Sequence, residues 1–119
     1  MPDCLFCRII NKEAKADMVY EDSEVVAFKD IYPAAPVHLL IVPRKHINSL
    51  IDIDENDTQL LGKLHLVAND LARAFKLDKK GFRIVINCGQ DAGQAIFHLH
   101  LHLLGGKPLL HTIAKGRGL

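Results

Sequence analysis

The segment Phe97-His98-Leu99-His100-Leu101-His102-Leu103 sets three imidazoles two residues apart. In an extended strand successive side chains alternate faces. His98, His100 and His102 then share one face, and Phe97, Leu99, Leu101 and Leu103 share the other. Neighbouring histidines on that face stand about 6.7 Å apart along the backbone. Three aligned imidazoles are hard to explain as packing, because each needs hydrogen-bond partners once buried. Two chemistries fit. Two histidines at this spacing can hold one zinc ion with a position left open for water. Alternatively, one imidazole attacks phosphorus while its neighbours manage phosphate charge and protons. The loop just before the strand carries Asn87, Gly89, Gly93 and Gln94, whose amide and backbone donors suit a phosphate oxyanion.

The second motif is Cys4-x-x-Cys7. A thioredoxin-like redox pair should follow a strand, and only three residues come before this one. A plain pair of cysteines at a helix start is an alternative. A zinc site is a third reading, but it needs two further ligands, and no compact His-x₃₋₅-His pair follows the cysteines closely, as it would in a finger.

The elements that must position these groups read as follows. Residues 3–12 place Leu5, Phe6, Ile9 and Ile10 at helical spacing, with Asp3 or Cys4 as the cap. Residues 18–21 and 25–30 form a hairpin, and 37–42 is a buried strand ended by Pro43. Leu60, Leu61, Leu64, Val67, Ala68, Leu71 and Phe75 predict one long helix over 54–77, about 33 Å in length. Strands follow at 82–87 and 96–104, and Gly105-Gly106 closes the last. This order predicts an α+β fold: an antiparallel sheet of about five strands with one long and one short helix. The Leu99, Leu101 and Leu103 face is expected to pack on a helix.

The 119 residues suit a single domain spanning 1–119. Lys and Arg number 15 and Asp and Glu 14, a net charge of +1. That balance argues against binding nucleic-acid polymers, which takes a basic surface, but it leaves room for one small anionic ligand. No apolar run reaches the roughly 18–20 residues of a membrane span, and the N-terminus does not read as a signal peptide. A cytoplasmic location is expected, where the three cysteines stay reduced. Cys88 is expected to be a small buried residue, and His65 and His111 to be surface or structural.

His98-Leu-His100-Leu-His102-Leu103-Leu104, preceded by Gly93-Gln94 and followed by Gly105-Gly106, resembles the histidine triad (HIT) family. Ala35 to His46, Leu5-Phe6 and Phe28-Lys29-Asp30-Ile31 also resemble family segments. The resemblance runs to about Pro108 and is nearest to the small bacterial nucleoside phosphoramidase-like (HINT-type) branch. It implies a hydrolase or transferase acting on the α-phosphate of nucleoside 5′-phosphoramidates or related nucleotidyl compounds. His100 would be the nucleophile, forming a covalent nucleotidyl-histidine. His102 would contact phosphate and leaving group, His98 would complete the triad, and His38 would support proton transfer.

The resemblance further implies that Asp30 accepts from the ribose hydroxyls. Leu5, Phe6, Ile9, Phe28 and Ile31 would wall the base, and Asn87, Gly93, Gln94 and Ala95 would meet the phosphate side. It implies a purine nucleotide such as AMP, or a nucleoside phosphoramidate, as ligand, and no organic cofactor. It also implies a homodimer whose sheets join, and a structural zinc ion on Cys4, Cys7, His46 and His98. Two features depart from the pattern. Ala95 stands where many relatives carry a polar residue, and the tail after Pro108 has no Trp. Two alternatives stay open: a nucleotide-binding regulatory protein with weak residual catalysis, and a zinc-dependent hydrolase.

Overall fold

The computed structural model describes residues 4–109. Its elements are α1 (Leu5–Ile10), β1 (Met18–Glu21), β2 (Val25–Lys29), β3 (Val37–Pro43), α2 (Thr58–Ala74), β4 (Phe82–Val85) and β5 (Leu101–Gly105). The five strands form one antiparallel sheet in the order β1-β2-β3-β5-β4. The α+β class, the strand number and the pair of unequal helices therefore agree with the sequence pattern. Among the described residues no helix is long and apolar enough to cross a membrane.

β3 is the centre of the sheet, and its residues from His38 to Pro43 are all buried. Both of its faces are covered, so it reads as a continuous apolar run rather than an alternating one. On one face α2 lays down Leu64, Val67, Ala68, Leu71 and Ala72, a stripe at helical spacing, against Leu39, Ile41, Leu99, Leu101 and Leu103. On the other face Phe6 and Ile9 of α1 pack on Val26, Phe28, Leu40 and Val42. The expected helix packing of the leucine face is thus present.

Several boundaries differ from the sequence reading. α2 starts at Thr58 because a separate turn, Glu55–Asp57, precedes it. Asp54 accepts from Asn56 N–H, and the Asp57 carboxylate accepts from Asp54 N–H, a reciprocal cap that begins the helical segment there. α2 ends at Ala74, with Phe75 as its C-cap. The last strand begins at Leu101, not Ile96. Before it the chain leaves the ladder, and Leu99 N–H donates instead to Ile47 O at 2.7 Å. Phe97 consequently sits half exposed, away from the leucine core. Pro43 is the last residue of β3 rather than a stop before it, Cys88 is half-buried rather than buried, and β4 ends at Val85. Asp3 and His111 lie outside the described residues, and Cys4 caps α1 by accepting from Cys7 N–H at 3.3 Å.

Two glycines with opposite surroundings test the packing. A Cβ on Gly62, in the middle of α2, meets nothing within 4 Å, whereas one on Gly105 falls 2.9 and 3.0 Å from the methyls of buried Leu77. Gly62→Ala is expected to stabilise the fold by about 0.5–1 kcal/mol, and Gly105→Ala to cost about 1–2 kcal/mol, in urea unfolding. Equal shifts for the two variants would contradict this packing.

Candidate active site

Register across the sheet builds the floor of the site. Met18 lies opposite Phe28, Phe28 opposite Leu40, and Leu40 opposite His102. Directly opposed residues point to the same face. One transverse row therefore runs from β1 to the histidine strand on the face that α1 partly covers. A cleft of about 530 Å³ opens there. Of the residues expected at a nucleotide, it is lined by Leu5, Phe6, Ile9, Phe28, Asp30, Ile31, Asn87, Gly93, Ala95, His100 and His102.

Gln94 is not in the lining. Its buried amide accepts from Gly89 N–H at 2.9 Å and donates to Asn48 O at 2.8 Å, so it clamps the glycine loop from behind. Asn87 Nδ2 donates to Ala92 O across the same loop. Lys15, Ala16, Lys29, Tyr32, Leu40 and Ile96 also line the cleft, and sequence reasoning missed them. For Leu40 the signal was available, since it stands two residues from His38 in a predicted strand and so shares its face.

The hydrogen bonds assign the protons. His100 Nδ1 lies 2.8 Å from the His98 carbonyl, which can only accept, so Nδ1 carries the hydrogen and Nε2 keeps its lone pair. Phe6 meets the His100 ring edge-on, with centroids 5.0 Å apart, and holds its orientation. His38 Nδ1 accepts from Ala34 N–H at 3.0 Å, which puts the His38 hydrogen on Nε2. That Nε2–H faces His102 Nδ1 at 2.8 Å, with the Asp30 carboxylate 3.4 Å away. His102 Nδ1 is thereby an acceptor, and its hydrogen sits on Nε2. Asp30 is itself fixed by Tyr32 N–H at 2.8 Å.

A second cluster lies beside this one. The donor atoms of Cys4, Cys7, His46 and His98 all lie within 4.8 Å of one another. Cys4 Sγ is 3.3 Å from His98 Nδ1, and Cys7 Sγ is 3.3 Å from His46 Nδ1 and 3.7 Å from His98 Nδ1. Ordinary zinc bond lengths in a tetrahedron separate sulfur from nitrogen by about 3.6 Å. His98 Nε2–H donates to Pro43 O at 2.8 Å and His46 Nε2–H to Asn48 Oδ1 at 2.7 Å. Both Nδ1 lone pairs are therefore turned to the sulfurs, with the outer-shell bonds that a ligating histidine wants. Burial, then the Cys4 thiol, raises the Cys7 thiol above its ordinary range, so holding both sulfurs as thiolates would take a cation between them. The residues fit a closed zinc site.

Asp30, His38 and His102 form a third group of donor atoms. There the backbone N–H on His38 Nδ1 forces the hydrogen onto the very nitrogen a metal would need. That set is built for hydrogen bonding rather than coordination.

This fold and site define a histidine triad protein, and the comparisons bear that out: the chain belongs to the histidine triad (HIT) family. A family model described as "Scavenger mRNA decapping enzyme C-term binding" matches residues 3–112. Protein HitA of Neisseria gonorrhoeae is 48% identical over 105 residues, covering 88% of this chain and 97% of its own. An uncharacterized HIT-like protein of Buchnera aphidicola is 47% identical over 105 residues, covering 88% and 94%. A HIT family hydrolase from Legionella pneumophila superposes with a TM-score of 0.91 at 44% identity, over 96% of this chain and 100% of that one. A HIT family hydrolase from Clostridium thermocellum gives 0.91 at 46% identity, over 95% and 98%. Within the family the chain is hydrolase-like.

Burial, followed by the neighbouring His100 and His38 rings, pushes His102 down to about 4. Burial lowers His38 as well, against the pull of Asp30. An unfolded histidine titrates near 6.5, so between about 6.5 and 4 the unfolded chain binds more protons than the folded one. Stability contributed by the neutral rings is therefore lost as pH falls through that window. An NMR titration is expected to place the His102 midpoint near 4, with the thermal midpoint falling as pH drops from about 7 to about 5. A His102 midpoint at its ordinary value would contradict the burial and the bond to His38.

Proposed function

We propose that this protein hydrolyses nucleoside 5′-phosphoramidates or related nucleotidyl compounds through a covalent nucleotidyl-His100. The observation that carries the reading is the His100 ring. Its Nδ1–H is tied to the His98 carbonyl, and its Nε2 lone pair borders a cleft whose apolar floor suits a purine nucleoside. Neutral imidazole is a competent nucleophile near pH 7. Burial lowers the pKa of His100, which keeps the ring neutral there.

His100 Nε2 forms a bond to the α-phosphorus as the bond from phosphorus to the leaving group breaks. In a phosphoramidate the amine departs with the electron pair and takes up a proton. Nδ1–H stays on the His98 carbonyl, which stabilises the positive ring. Water then attacks phosphorus, gives up a proton, and His100 leaves as neutral imidazole, so the cycle is proton-neutral. His102, donating through Nε2–H, serves the phosphoryl oxygens and the leaving atom. His38 holds His102 in that tautomer. The carboxylate of Asp30 has acceptor capacity left for the ribose hydroxyls.

Two further parts of the proposal concern metal and assembly. Cys4, Cys7, His46 and His98 would hold one zinc ion in a structural role, tying α1 to the segment that carries His100. Four protein ligands leave no position for water, so zinc would supply rigidity and not a nucleophile. Homodimerisation would use β4, an edge strand whose four residues are all half-buried. Pairing it with a second copy would extend the sheet and cover that edge. The regulatory alternative draws on Ala95, a methyl lining the cleft where a hydroxyl could have donated to the phosphate side.

His100→Ala is expected to lower turnover of adenosine 5′-phosphoramidate by at least about a thousandfold while leaving AMP binding largely intact. Mass spectrometry after rapid quench of the wild type should find the nucleotidyl group on His100, and an adduct on another residue would overturn the mechanism. The double variant Cys4→Ser, Cys7→Ser is expected to lose zinc and to melt at least about 5 °C lower. Protein purified without chelator that contains no zinc would overturn the metal site.

A further inference from the structure

The cleft has polar side chains at both ends, and the chemistry above uses only one of them. The row Met18, Phe28, Leu40, His102 crosses four strands. At about 4.8 Å per strand, Met18 lies about 14 Å from His102. Lys15 and Ala16 lead directly into Met18, and both line the cleft. Ala14 and Ala16, on either side of Lys15, pack into the cluster of Phe6, Ile9 and Phe28. The Lys15 side chain therefore borders the end farthest from the reacting histidines.

Between those ends the floor is Leu40 and Phe28, which offer an aromatic base its faces but no hydrogen bonds. Lys29 is turned to Asp17, 3.6 Å away. Lys15 makes no ion pair among the described residues. On the nucleotide reading, a ligand with its phosphate at His100 would extend its base along this floor toward Lys15. An ammonium has three donors and no acceptor. A 6-oxopurine presents two adjacent acceptors on its edge, O6 and N7, whereas adenine replaces O6 with an amino donor.

We propose that Lys15 determines base specificity by donating to O6 and N7, so that the cleft favours guanine and hypoxanthine nucleotides over adenine ones. This rests on the nucleotide reading of the cleft, and it adds a substrate class to it.

Calorimetric titration of the full chain with GMP, IMP and AMP tests the assignment without requiring turnover. GMP and IMP are expected to bind at least about threefold more tightly than AMP, a discount from a buried bidentate contact because Lys15 is exposed. Lys15→Met should bring the three within about twofold of one another, and Lys15→Arg should keep the preference. A fold-wide effect of the substitution would not move the ratio between ligands. Equal affinities in the wild type would overturn the inference alone. So would a Lys15→Met variant that weakens all three equally, because that is simple charge attraction. Failure of all three nucleotides to bind would overturn the nucleotide reading and this inference together.

Discussion

The hydrogen bond from His100 Nδ1 to the carbonyl of His98, 2.8 Å long, is the contact on which the rest of the site depends. It is made to the residue's own chain two positions back, so it forms wherever this segment takes this conformation. It places the hydrogen on one nitrogen and leaves a lone pair on the other. In the proposed mechanism a ring with the opposite tautomer would present N–H to phosphorus and could not attack. The same residue, His98, works in two directions. Its carbonyl sets His100, while its ring, donating to Pro43 O, turns its lone pair to Cys4 and Cys7. Histidines two residues apart thus face different clusters of side chains, and the rigidity of one supports the orientation of the other.

Burial is the second half of the design. β3 is covered on both faces, and its neighbour β5 carries fully buried Leu101 and Leu103 on the α2 side. On the other side Phe6 leans edge-on against both His98 and His100. Desolvation in this setting holds His98 and His102 at about 4, so the rings stay neutral at physiological pH. A neutral imidazole can attack or accept, but a charged one can only donate. The backbone bonds then decide which nitrogen is available. Ala34 N–H sets His38, and His38 in turn sets His102.

Much of this was legible in the residues, and the reasons are specific. The spacing of His98, His100 and His102 placed the imidazoles on one side, and the leucines between them marked the face that packs on α2. The α2 stripe and the alternating runs gave the elements. What escaped was set by contacts distant in sequence. The bond from Leu99 to Ile47 O takes the chain out of the ladder before Leu101, so strand alternation alone misplaced Phe97. Gln94, expected at the phosphate, is instead drawn inward by Gly89 and Asn48. The Asp54 capping turn shortened α2 because local side-chain bonds competed with helix extension. Cys4-x-x-Cys7 offers no partner by spacing; His46 and His98 meet it only through the fold. Lys15 carried no periodic signal, being one exposed residue in a connection.

The most direct measurement of the central claim is a long-range proton–nitrogen NMR correlation of the nitrogen-15-labelled chain near neutral pH, which reads the tautomer of each imidazole. The expected spectrum shows His100 with its hydrogen on Nδ1 and a bare Nε2, and His102 with its hydrogen on Nε2. A His100 protonated on Nε2 in the folded chain would contradict the account, because no lone pair would then face the cleft.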